Sequence, residues 1–179
     1  MSNFLEEITR ENINKGDFII RKGNHNQDSY LAVINEVHNA DGIVSIIKNN
    51  GIDVYTINSF MEMFKRVKRE NIESIENDNF YIKEPILRED FFDYRRHGKR
   101  MGYSKDFMVS LILFPLWDVN AFNGNMVMLD SHKVGDKINE LEKDNIKFTI
   151  NVIYKISFIP RGSIKILKSK IDKVVIKTK

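Results

Sequence analysis

Residues 147–158 read KFTINVIYKISF, the cleanest alternation in a chain of 179 residues. Phe148, Ile150, Val152, Tyr154, Ile156 and Phe158 point one way, and Lys147, Thr149, Asn151, Lys155 and Ser157 point the other. A period of two marks a strand with one face on a core and the other toward water. Pro160, Arg161 and Gly162 predict a turn into a strand over 163–167, and a further strand over 173–177 closes the sheet. On the N-terminal side, residues 136–144 read as a capped helix that turns Ile138 and Leu141 inward.

The first third of the chain has a different rhythm of strand, turn, strand. Gly16 and Asp17 open a strand over 18–21. A polar loop over 22–28 leads to a β-branched and aromatic strand over 30–37. Asn39, Ala40, Asp41 and Gly42 predict a tight hairpin into a strand over 43–48, because Asp-Gly tolerates the positive φ of such turns. Asn49, Asn50 and Gly51 make the next turn, into a strand over 52–57; one helical turn over 58–63 precedes a last strand over 64–68. Ahead of them, residues 3–11 predict a short helix capped by Asn3, with Glu6 at the reciprocal capping position and Phe4, Leu5 and Ile8 on one face.

Five short strands with a single helical turn before the fifth, running from GDFIIRKG through SYLAVINEV to FKRVK, resemble an SH3-like small β-barrel over residues 15–68. The resemblance is one of fold. Barrels of this kind bind nucleic acid or peptides or only their own neighbours, so it implies no activity. Tyr30, Tyr55 and Phe60 are candidates to line a groove, although alternation sends some of them into the core.

The expected organisation is therefore a mostly β, α+β chain. Residues 1–70 form a short helix plus the barrel, 71–79 an acidic linker, and 80–179 a β-rich domain with one or two short helices and a basic C-terminal sheet. There is no cysteine, which excludes disulfides, thiol nucleophiles and cysteine metal sites. The longest apolar stretch, 107–117, is well short of the roughly 20 residues that cross a bilayer. Glu6 and Glu7 stand where a signal peptide would need positive charge. A cytoplasmic setting is expected, with no membrane partner. Ile, Lys and Asn supply 63 of the 179 residues. Their codons suit an AT-rich genome, such as that of a low-GC bacterium or its phage.

Charge is distributed unevenly. The net charge is +3, yet residues 145–179 carry nine Lys or Arg against Asp172 alone. A basic tract on an otherwise acidic chain attracts phosphate backbones or acidic protein surfaces. Lysines on strand edges also serve a plainer purpose, since they block edge pairing. A second basic cluster, RRHGKR, lies at residues 95–100. There Arg95, Arg96, Lys99 and Arg100 neighbour Tyr103 and other aromatics, pairing cations for phosphates with rings on which bases stack for about 1–3 kcal/mol each.

Catalytic patterns are sparse. His25, His38, His97 and His132 are scattered, without the spacing of a metal pair on one helix. Glu84, Asp90 and Asp93 with His97 or Lys99 are the best that a metal-dependent nuclease could draw on. Asp130, Ser131 and His132 are adjacent in sequence, whereas triads assemble across a fold. Trp117 with Phe122, Met126 and Met128 reads as core, or as a protein-binding patch if exposed.

The expectation is thus a small non-catalytic binding protein without a cofactor. It contacts DNA or RNA backbone, or a nucleoprotein, through Arg95, Arg96, Lys99, Arg100, Tyr103, Lys155, Arg161, Lys165 and Lys168. The alternative is a phage or mobile-element inhibitor or adaptor that binds and blocks a host nucleic-acid-processing protein.

Overall fold

The computed structural model describes residues 4–21, 30–76, 78–86 and 131–178. Its first sheet has six antiparallel strands in the order β1-β6-β2-β3-β4-β5. They are β1 (Leu5–Glu6), β2 (Phe18–Arg21), β3 (Tyr30–His38), β4 (Ile43–Ile47), β5 (Ile52–Thr56) and β6 (Phe64–Val67). Helix α1 (Ile57–Met63) lies between β5 and β6. Thr56 caps it, its hydroxyl accepting the Ser59 N–H at 3.2 Å, while Ile57 and Phe60 turn inward. The strand positions match the sequence reading to within a residue at most ends.

Residues 4–11 do not make the expected helix. Leu5 and Glu6 form an edge strand, Leu5 opposite Val67 and Glu6 opposite Arg66. Only Arg10–Asn12 coil, as a 3-10 turn whose Asn12 side chain accepts the Thr9 N–H at 2.8 Å. Phe4 and Ile8 are buried, whereas Leu5, the third residue of the expected apolar face, is half-buried. An isolated helix this short is marginal, and pairing with β6 satisfies the backbone instead.

Both faces of the first sheet are covered. Ile19, Ala32, Ile34, Val44 and Ile46 point to one side and join Ile8, Ile57, Phe60 and Phe64 in one hydrophobic core. Phe18, Ile20, Leu31 and Val33 point to the other side, and they too are buried. Phe18 there meets Phe80 edge-on, with ring centroids 5.2 Å apart, and stacks on Phe158 at 6.3 Å.

A second sheet, in the order β10-β9-β8-β7, supplies those two rings. Its strands are β7 (Ile72–Glu76), β8 (Asn79–Ile86), β9 (Phe148–Arg161) and β10 (Ile164–Thr178). Part of the stretch read as an acidic linker is thus the edge strand β7, and the two short strands read over 163–177 are one continuous β10. In β9, Ile150, Val152, Tyr154 and Ile156 are buried as the alternation predicted.

Two compact units divide the chain. One comprises Met1–Ile82 with Lys155–Ser169, the other Lys83–Tyr154 with Lys170–Lys179. The second contains helix α2 (Ser131–Lys143), with Ile138 and Leu141 buried. Asn145, at φ 56°, ends that helix: the Ile146 N–H reaches back to Leu141 O and the Asn145 N–H to Glu142 O, closing the last turn's free carbonyls.

Candidate nucleic-acid interface

Within the first unit, Lys155–Ser169 forms the end of β9, a two-residue turn at Gly162 and Ser163, and the start of β10. Gly162 takes φ 63°, the left-handed region that a tight hairpin turn needs. This segment carries Lys155, Arg161, Lys165 and Lys168 and no acid. Phe158 faces Phe18, so alternation sets Lys155, Ser157 and Arg161 on the opposite side of β9. Lys155 is half-buried, and the other three cations are exposed.

The four cations differ in their electrostatic state. Lys165 Nζ pairs with Asp78 Oδ2 at 2.6 Å. Among the described residues, no carboxylate pairs with Lys155, Arg161 or Lys168. Three of the four therefore keep a charge that no described neighbour neutralises. Farther along β10, Lys170, Lys173 and Lys177 are also exposed.

The hairpin reaches past the strand beside it. The Phe158 N–H donates to Asp78 O at 3.1 Å, and Ser157 Oγ donates to Asn79 Oδ1 at 2.9 Å. Asn79 is where β8 begins. Residues 159–164 extend beyond that point, and 159–163 are all exposed. No sequence pattern announces this projection, because it depends on where a distant strand starts.

Arg95, Arg96, Lys99, Arg100 and Tyr103 lie outside the described residues, as do His25, Asp90, Asp93, His97, Trp117, Phe122, Met126, Met128 and Asp130. His38 Nε2 sits 3.0 Å from Glu36 on the surface. Glu84 is 1% exposed and accepts the Tyr154 hydroxyl at 2.6 Å. Among the described residues, no group of three or more His, Asp or Glu is arranged to hold a metal ion, and no helix is long and apolar enough to cross a membrane.

The groove expected from Tyr30, Tyr55 and Phe60 is largely filled by the protein's own groups. Phe60 is wholly buried and stacks on Phe64. The Tyr30 and Tyr55 hydroxyls meet at 2.8 Å, and Lys48 Nζ lies 4.9 Å above the Tyr30 ring while pairing with Asp53 at 2.7 Å. Burial, with help from the Tyr30 hydrogen bond, pushes the Tyr55 phenol up to about 12.

Comparison of the chain with protein-family models, with curated proteins and with solved structures gave no match.

Proposed function

We propose that this protein is a non-catalytic nucleic-acid-binding protein that engages the phosphate backbone through the β9–β10 hairpin. The observation that carries the reading is the segment Lys155–Ser169: four cations without an acid, three of them unpaired among the described residues. Phosphate contacts of this kind hold a protein on nucleic acid whatever the sequence, by releasing condensed counterions. The finer description of the first sheet as an SH3-like barrel belongs to the same proposal. Its support is the strand order β6-β2-β3-β4-β5 with α1 just before β6. A cytoplasmic location fits a cysteine-free chain.

The test is binding to a labelled duplex across a salt series. Three phosphate contacts predict that the logarithm of affinity falls with that of salt at a slope of about −2.7. The double variant Arg161→Ala, Lys168→Ala removes two of them and brings the slope to about −0.9. A salt-independent affinity, or a double variant that binds like the wild type, overturns the proposal. No binding to DNA or RNA, with one host protein retained instead, would shift the reading to an inhibitor or adaptor.

A further inference from the structure

Resting on that reading, we propose that the tip of the β9–β10 hairpin is a wedge that enters the minor groove of duplex DNA and bends it. Ile159 and Pro160 meet a base step, and Arg161 lies in the groove.

The tip has the reach. Among the described residues, its outermost backbone link to the β7–β8 turn is the Phe158 N–H to Asp78 O bond. Three further residues of β9 rise beyond it, a projection of about 10 Å at about 3.3 Å per residue. The minor groove is about 7.5 Å deep. A two-residue turn keeps the end of the hairpin narrow, and Gly162 at φ 63° allows it.

The tip also has the chemistry. Ile159 is 36% exposed, and Pro160 beside it is exposed as well. Apolar side chains such as Ile and Pro, inserted between base steps from the minor groove, unstack them and kink the duplex. Pro160 lacks a backbone donor and needs no partner where β8 no longer runs alongside. Arg161 follows directly, exposed and unpaired among the described residues, and the negative potential of a narrow minor groove draws guanidinium groups. Lys168, exposed on the returning strand, stands below the tip, within reach of flanking phosphates.

Energy transfer between dyes at the two ends of a duplex of about 30 bp tests this directly. The wild type should shorten the end-to-end distance, and a small ligand that fills the A·T minor groove should compete with it. The double variant Ile159→Ala, Pro160→Ala touches only exposed positions and should fold normally by circular dichroism. It should lose the shortening while its affinity falls about tenfold and its salt slope stays unchanged. Wild-type binding without shortening overturns this inference and leaves the phosphate-binding reading intact. So does shortening that survives the double variant, or binding to single strands alone. Absence of salt-dependent binding defeats both proposals.

Discussion

Asp17 accepts from both Nε and Nη2 of Arg69, at 3.1 and 3.0 Å, a two-pronged grip between the start of β2 and the 3-10 turn after β6. The hydrogen bond, reinforced by the carboxylate's charge, holds the Arg69 guanidinium above its ordinary pKa. Arg66 approaches the same carboxylate at 3.4 Å and also bonds Glu6 and the Asn12 carbonyl. Two stretches remote in sequence, residues 6–17 and 66–69, are joined by this network.

Its two arginines should differ sharply in what they contribute. Arg66 is buried and bonds Glu6, Asp17 and the Asn12 carbonyl at once, so Arg66→Ala takes a donor from all three and costs about 3 kcal/mol. Arg69 has an exposed side chain, and Arg69→Ala should cost below about 1 kcal/mol. Urea midpoints decide the matter: equal losses would contradict the distinction.

Phe18→Ala should cost about 3–5 kcal/mol, because it empties the space between Phe80 and Phe158. If the outer face of the first sheet were wet, the loss would stay below about 1 kcal/mol in the same unfolding experiment.

Tyr55 makes stability sensitive to alkali. Its folded pKa of about 12 exceeds the unfolded value of 10.0, so the stabilising contribution is complete below that unfolded value and declines as pH rises toward the folded one. Tyr55→Phe should flatten the stability profile across this window and remove one step near pH 12 from the tyrosinate absorbance titration. A titration identical to that of the wild type would contradict the assignment.

Asp78→Asn should free Lys165 for phosphate. Duplex affinity should rise at low salt, and the salt slope should steepen by about 0.9, while stability changes by less than about 1 kcal/mol, as expected for an exposed pair. Weaker duplex binding by this variant would count against the hairpin as the contact surface.

Gly162→Ala should destabilise by about 1–2 kcal/mol through left-handed strain alone, since an added Cβ meets nothing within 4 Å. Gly162→Asn should lose less, because asparagine tolerates that conformation. Thermal melts of the two variants give the comparison, and equal losses would point to a cause other than backbone strain.

The sequence conveyed strands better than layers. Alternation over 147–158 located β9 because one of its faces is buried and the other is more open. Phe18-Ile19-Ile20 and Leu31-Ala32-Val33-Ile34 carry the opposite signal: they do not alternate, since both of their faces are covered. Those runs were consistent with a barrel core, and only the rings of Phe80 and Phe158 reveal the second cover. β7 was hidden for a different reason. Glu73, Ser74 and Glu76 are exposed on an edge strand, where charge discourages further pairing and makes a strand look like a linker. As for the interface, Lys155, Arg161, Lys165 and Lys168 were readable individually. Their distinct ionic states were not, because Asp78 is 87 residues from Lys165.

The first unit is interrupted in sequence: it pauses after Ile82 and resumes at Lys155. On a ribosome adding 5–20 residues per second, β9, whose Phe158 completes the cover that Phe80 of β8 begins over Phe18, arrives roughly 4–17 s after β7 has emerged. During that interval the nascent chain presents an aliphatic face covered only in part. Fragments ending near residue 80 should therefore be less soluble than the full chain, and synthesis of the chain should lean on chaperones.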